Sequence, residues 1–303
     1  MCGLIGCVGA PLFPKESYIL LSSLLEETQT RGPHATGHFL VTNEEENSSP
    51  IYFKSPIPAS VYVNIQEWKD IENIKYKTLM AHTRYKTKGE ELENNNNHPH
   101  ISSSENIGLI HNGTLYDFSK HKSDYTLEGS SDSELILRMI VKENNIIKGI
   151  NKVFDCFKKS GDFACMLTYR NPIDGKSRFL FFRDSGRPGR FIDAYDSLGQ
   201  YFFCSTSQIW KDSVKKAEKL NDKIKKMKLL DLKIENIPSF EIWEIDAQTL
   251  DMKIHYIKKP YERKVKPKKP KLLKLPSVKD EVKINYRTVQ KYKFYNYSYG
   301  RKI

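Results

Sequence analysis

The chain predicts an α+β layered fold, and three observations carry it. Short apolar stretches of strand length recur along the sequence, longer helical patterns are grouped between them, and no αβ alternation runs through the whole chain. A chain of 303 residues with 39% hydrophobic content can bury a real core.

The elements follow in order. Residues 2–10, punctuated by Gly3, Gly6 and Gly9, read as a buried strand. From Tyr18 to Glu27, Tyr18, Leu21 and Leu25 fall at helical spacing with Ile19 and Leu24 beside them, and Gly32-Pro33 breaks the pattern. Gly37–Thr42 and Thr78–Thr83 read as strands, while residues 44–49 and 90–97 are polar loops, the second with an Asn run. Ile107–Ile110 reads as a strand running into His111-Asn112-Gly113, a turn signal by local chemistry. Ser131-Asp132-Ser133-Glu134 before Leu135-Ile136-Leu137 has the form of an N-cap and a helix start. A second helix follows near Ile146–Lys158, then strands at Phe163–Tyr169, Phe179–Arg183 and Tyr201–Ser205. A Lys-rich amphipathic helix near Lys211–Ala217 and strands near Ile234, Glu241–Ile245 and Met252–Ile257 complete the core.

Composition narrows the function classes. No apolar run reaches membrane-spanning length, and the N-terminus has no basic region leading into an apolar one, so the expected location is the cytoplasm, with no membrane partner. The five cysteines (Cys2, Cys7, Cys156, Cys165, Cys204) are scattered without a CxxC pair, which argues against a disulfide framework or structural zinc. The net charge of +12 concentrates after about residue 211, most densely in residues 258–271. Residues 258–303, basic and Tyr-rich, are read as a tail that is disordered or docks a partner. Its Lys/Arg and Tyr mixture suits nucleic acid and a protein surface equally.

Cys2 is the candidate nucleophile. Removal of Met1 places its thiol beside a free α-amine, whose pKa of roughly 7.7–8.0 suits it to accept the thiol proton. Taken alone, a cysteine at this position reads equally as part of a buried first strand. An ordered set of motifs follows it. They are Arg31-Gly32-Pro33, His82-Thr83-Arg84-Tyr85-Lys86-Thr87-Lys88-Gly89, His98-Pro99-His100, His111-Asn112-Gly113, Ser131-Asp132-Ser133-Glu134 and Arg183-Asp184-Ser185-Gly186-Arg187-Pro188.

In that order the motifs resemble the class II glutamine amidotransferases, whose glutaminase domain is an N-terminal nucleophile hydrolase. The pattern is most similar to the glutaminase domains of glucosamine-6-phosphate synthase and amidophosphoribosyltransferase, and covers roughly residues 2–257. The resemblance implies a four-layer αββα sandwich and hydrolysis of L-glutamine through a Cys2 γ-glutamyl thioester. It implies an oxyanion hole from the Asn112 side chain and the Gly113 N–H, with no Cβ in the way. Arg84 is expected to bind the α-carboxylate with its planar fork, Thr87 to add a hydroxyl there, and Asp132 to pair with the α-ammonium. His98 is expected at the pocket wall, and Arg31 behind the site, fixing the loop over it. No metal or organic cofactor is implied, because the family's base is the N-terminal amine and His82, His98 and His111 lack ligand spacing.

No acceptor-domain motif follows, so the resemblance predicts a glutaminase subunit whose ammonia acceptor lies on a separate protein. Two further readings stand beside it. One is hydrolysis of another amide, which Arg84 and Asp132 disfavour. The other is a degenerate glutaminase fold serving as a scaffold, possible because Pro33-His34, Lys86 and Lys88 depart from the family pattern.

Overall fold

The computed structural model describes residues 1–42, 49–157, 161–171 and 174–257. The tail at 258–303, and with it the expectation of nucleic-acid or partner docking, lies outside the described residues. The strands are β1 Gly3–Val8, β2 Ala35–Thr42, β3 Ile51–Ser55, β4 Tyr76–Arg84, β5 His100–Ile101, β6 Ile107–Leu115, β7 Gly161–Arg170, β8 Ser177–Arg183, β9 Arg190–Ala194, β10 Gln200–Cys204, β11 Ile234–Asn236, β12 Glu241–Asp246 and β13 Met252–Tyr256. They form a seven-stranded sheet in the order β11-β9-β10-β1-β4-β2-β3 and a six-stranded sheet in the order β13-β12-β8-β7-β6-β5. Every pairing in both sheets is antiparallel.

Side-chain alternation builds the layers. Leu4 and Val8 of β1, Phe39 of β2 and Met80 of β4 meet Ile110 of β6, Met166 of β7 and Phe179 and Phe181 of β8 between the sheets. The longer helices are α1 Pro14–Thr28, α2 Asp132–Lys142, α3 Ile146–Phe157 and α4 Ser207–Leu220, of which α2 and α3 cover the second sheet. Leu135, Ile136, Ile140, Val153, Phe154 and Phe157 of α2 and α3 pack on Leu109, Phe163, Leu180 and Phe182. On the first sheet, α1 buries Leu20, Leu21, Leu24 and Leu25, and α4 buries Ile209, Trp210, Val214 and Ala217. The result is the expected α+β, four-layer αββα arrangement.

The structure changes several expected elements. His111-Asn112-Gly113 is no turn: β6 runs on to Leu115, paired residue for residue with β7 from Ile107↔Tyr169 to Leu115↔Gly161. A nine-residue ladder with a filled apolar face outweighs the local preference of one Asn-Gly dipeptide. Strands β3, β5 and β9 were not anticipated. Among the described residues no helix is long and apolar enough to cross a membrane.

Candidate active site

The seven-stranded sheet brings the start of β1 beside the end of β4. Gly3 pairs with Thr83 across β1 and β4, so Cys2, one residue earlier, lies beside Arg84 and Tyr85. Cys2 Sγ accepts from the Tyr85 N–H at 3.4 Å and donates to the Tyr85 carbonyl at 3.6 Å. The chain is held there from behind: Arg31 Nε donates to the Cys2 carbonyl at 2.8 Å. Gly32 allows this, since a Cβ there would stand 2.3 Å from the Arg84 carbonyl carbon and the Tyr85 nitrogen. Burial pushes the Cys2 thiol up, against the opposing pull of the Tyr85 N–H, the terminal ammonium and Arg84. Burial, with Arg31 and Arg187, holds the terminal amine of Met1 below its ordinary value, although Cys2 opposes this. With Met1 attached, the Cys2 nitrogen is an amide, and no base.

The facing strand is β6. Ile110 points between the sheets, and the two-residue period puts Asn112 on the same face, as it puts Cys2 on the face of Leu4. Asn112 is fully buried, yet its Oδ1 and Nδ2 have no hydrogen-bond partner among the described residues. Leaving a buried amide unpaired costs about 1–3 kcal/mol per group, so such an amide is prepared for a partner that arrives. Close packing against β7 leaves no room for a side chain at Gly113. A Cβ would lie 1.9 Å from the Asp162 carbonyl oxygen.

The backbone of Gly113 can be followed through its neighbours. Phe163 commits its N–H to Asp184 Oδ1 at 3.1 Å and its carbonyl to the Asp184 N–H at 3.0 Å. Ala164 therefore faces β6 and pairs with Asn112, and Gly113 directs its N–H away from β7. It leaves by the strand edge on which the His111 carbonyl lies 3.0 Å from His82 Nε2. Burial pushes the Asp184 carboxyl up to about 6, while the Gly186 and Phe163 N–H groups pull the other way.

Asp132 opens α2. Ser131 is the cap, accepting from the Ser133 N–H at 3.2 Å, which frees the Asp132 carboxylate for another task. Its Oδ2 accepts from the Leu115 N–H at 2.8 Å, tying the helix start to the end of β6. Ser133 also meets His111 Nδ1 at 2.8 Å, and Glu134 accepts from the Glu128 and Gly129 N–H groups. Asp132 and Arg84 both lie close enough to act electrostatically on Cys2, Arg84 favouring the thiolate and Asp132 opposing it.

Arg84 ends β4 and is buried. Its Nη1 donates to Asn97 Oδ1 at 2.8 Å, and its Nη2 donates to the Lys88 and Gly89 carbonyls, the latter at 2.7 Å. Among the described residues it makes no ion pair. Burial lowers its pKa, opposed by Cys2, Glu91, Asp132 and Glu90. Asn97 was hidden in the Asn run: only the fold shows that its carbonyl oxygen holds the guanidinium while its Nδ2 donates to the Glu91 carbonyl at 2.7 Å.

Two expected residues are not brought into direct contact with this group. Thr87 is exposed on the loop after β4. His98 is buried in a nest of rings, 3.9 Å from His82, 4.7 Å from His100 and 6.5 Å from His111 between centroids. Both His98 nitrogens lack partners among the described residues. Burial keeps these rings neutral, lowering His82 to about 3 and His111 to about 4, and His98 and His100 well below the ordinary value. Among the described residues no group of three or more His, Cys, Asp or Glu side chains is arranged to hold a metal.

No family model matches the chain. It is 30% identical over 145 residues to glutamine–fructose-6-phosphate aminotransferase (isomerizing) of Bacteroides thetaiotaomicron, covering 46% of this chain and 22% of that protein. The protein of the same name from Helicobacter pylori is 26% identical over 218 residues, 68% of this chain and 33% of the relative. The chain thus spans between about a fifth and a third of the length of these relatives. Among solved structures, glutamine phosphoribosylpyrophosphate amidotransferase from B. subtilis superposes with a TM-score of 0.60 at 18% identity. The match covers 84% of this chain and 49% of that one, and shows the shared fold. The described residues share the fold of this amidotransferase, and part of the chain is similar in sequence to the glutamine–fructose-6-phosphate aminotransferases. Within this domain, His34, Tyr85 and Asn97 are contacts that sequence reasoning missed. Only the departure at Pro33-His34 from the family pattern signalled one of them.

Proposed function

We propose that the domain hydrolyses L-glutamine to glutamate and ammonia through a γ-glutamyl thioester on Cys2. The observation that carries this reading is the fully buried, unpartnered Asn112 amide, facing the same inter-sheet space as Cys2. Once Met1 is removed, the Cys2 α-amine takes the thiol proton and the sulfur attacks the side-chain amide carbon. The carbonyl oxygen gains charge and is held by Asn112 Nδ2 and the Gly113 N–H. The C–N bond breaks as the α-ammonium returns its proton to the leaving nitrogen, which departs as ammonia. Water then cleaves the thioester, giving glutamate and restoring the thiol.

The amino-acid head group is read by charge. Arg84 binds the α-carboxylate by exchanging its contacts with the Lys88 and Gly89 carbonyls, and Asp132 receives the α-ammonium. Thr87 joins the carboxylate when the loop moves over the ligand, and His98 backs the pocket from the ring nest. The ammonia goes to an acceptor, and residues 258–303 are assigned to docking a partner.

The test is ammonia release from L-glutamine by protein whose N-terminus has been sequenced, against Cys2→Ala. The reading requires release by the processed protein alone and covalent capture of Cys2 by 6-diazo-5-oxo-norleucine. Processed protein that neither releases ammonia nor reacts with this mimic, with or without a partner, rules it out.

A further inference from the structure

The strand end that holds the thiol is itself held by a residue outside the expected set. His34 sits between Pro33 and the start of β2, half-buried. Its own N–H donates to the Arg84 carbonyl at 3.0 Å, extending the β2–β4 ladder by one step beyond Ala35↔Arg84. Its ring Nδ1 accepts from the Lys86 N–H at 2.9 Å. These two bonds bracket Tyr85, the residue whose N–H and carbonyl both meet Cys2 Sγ. The imidazole also lies against the Tyr85 ring, 5.0 Å between centroids. Nothing else among the described hydrogen bonds receives the Lys86 N–H.

We propose that His34 is a positioning residue for the Cys2 nucleophile, clamping the 84–86 backbone so that the Tyr85 peptide groups fix the sulfur. The inference rests on the reading of Cys2 as the nucleophile. Its chemistry is specific: Nδ1 must be an acceptor, so the ring must be neutral and carry its proton on Nε2. A protonated ring presents N–H to N–H, and the clamp opens.

The charged groups facing His34 are Glu91, Lys86, Arg84 and the chain terminus, and Lys86 is itself paired with Glu90 and Glu91 at 2.9 and 2.8 Å. Burial, Lys86, Arg84 and the terminus lower the His34 pKa, opposed by Glu91. The ring is therefore neutral at neutral pH. The clamp is complete above the His34 titration and is lost as pH falls through it, below the ordinary imidazole value of about 6.5.

Two variants separate acceptor from titration. His34→Asn keeps an oxygen acceptor near the position of Nδ1 and cannot protonate, while His34→Ala removes the acceptor. The first measurement is the rate of Cys2 alkylation by iodoacetamide against pH, read by mass spectrometry on the N-terminal peptide. The midpoint should rise in His34→Ala, because the Tyr85 N–H no longer steadies the thiolate, and stay near wild type in His34→Asn. The second is glutamine-dependent ammonia release, where His34→Ala should lose about 10- to 100-fold in kcat, the range that small misplacement of a reacting group costs. His34→Asn should retain kcat and show a shallower acid limb than the wild type, because only the α-amine then titrates.

An unchanged alkylation midpoint in His34→Ala, or an acid limb in His34→Asn as steep as in the wild type, overturns the proposal. If His34→Ala does not fold, the His34→Asn profile decides. If no form releases ammonia, the glutaminase reading fails while the alkylation midpoints still test the clamp.

Discussion

The two halves of the site differ in how their polar groups are satisfied. On β6 the Asn112 amide is buried, rigidly paired through its backbone to Ala164, and unpartnered at its side chain. On the loop after β4 the Arg84 fork is already occupied by Asn97, Lys88 and Gly89. On the proposed reading, the first half waits in place for charge that develops during the reaction. The second has to exchange partners when a ligand arrives. Catalytic stabilisation is thus assigned to the strand and substrate admission to the loop, and a variant in one half should leave the mark of the other untouched.

The sharpest break is Asn112→Ala, which removes the waiting donor. It should lower kcat by about 10²–10³ with little change in KM, since the oxyanion exists only along the reaction path. Steady-state ammonia release checks it, and a rise in KM alone would place Asn112 in substrate binding instead. Next is Asp184, which braces Phe163 behind β6. Its folded carboxyl titrates at about 6, above its ordinary value, so the stability it contributes is full below about pH 4 and is lost as pH rises through 6. Asp184→Asn keeps an acceptor for both N–H groups and should lack this loss. Chemical denaturation should show the wild type falling relative to the variant between pH 4 and 7, by on the order of 3 kcal/mol. Parallel curves would contradict the raised pKa.

Arg84→Lys tests the loop half. It preserves the charge but not the planar fork, and should raise KM for glutamine by about tenfold or more with a smaller effect on kcat. The smallest effect is expected for Asn97→Ala, which loosens Arg84 without touching Cys2. KM should rise by up to about tenfold, the worth of one hydrogen bond, with faster amide exchange across residues 86–91. A matching fall in kcat would mean that the two halves are coupled.

How far these halves could be read from sequence follows the same division. The long strands and all four main helices are visible because their apolar spacing is set by the layers they face, as in β1, β4 and α2. Strand β5 has only two residues, and β3 is an edge strand with mixed exposure, so neither carries a period to detect. Cys2, Arg84, Asn112, Gly113 and Asp132 are singled out by the order of their motifs. The Asn112-Gly113 dipeptide nonetheless signals a turn locally, and only pairing with Ala164 and Phe163 makes it strand. Asn97 and His34 could not be assigned, because their partners are backbone and guanidinium groups that no spacing rule connects to them.

The central claim is that Cys2 acts with its own α-amine as base. It is tested most directly by comparing glutamine-dependent ammonia release from protein with Met1 removed and from the same protein with Met1 retained, both verified by mass spectrometry. The account predicts turnover in the first and none above the Cys2→Ala background in the second. Equal turnover in both would contradict it, and would assign the base to another group.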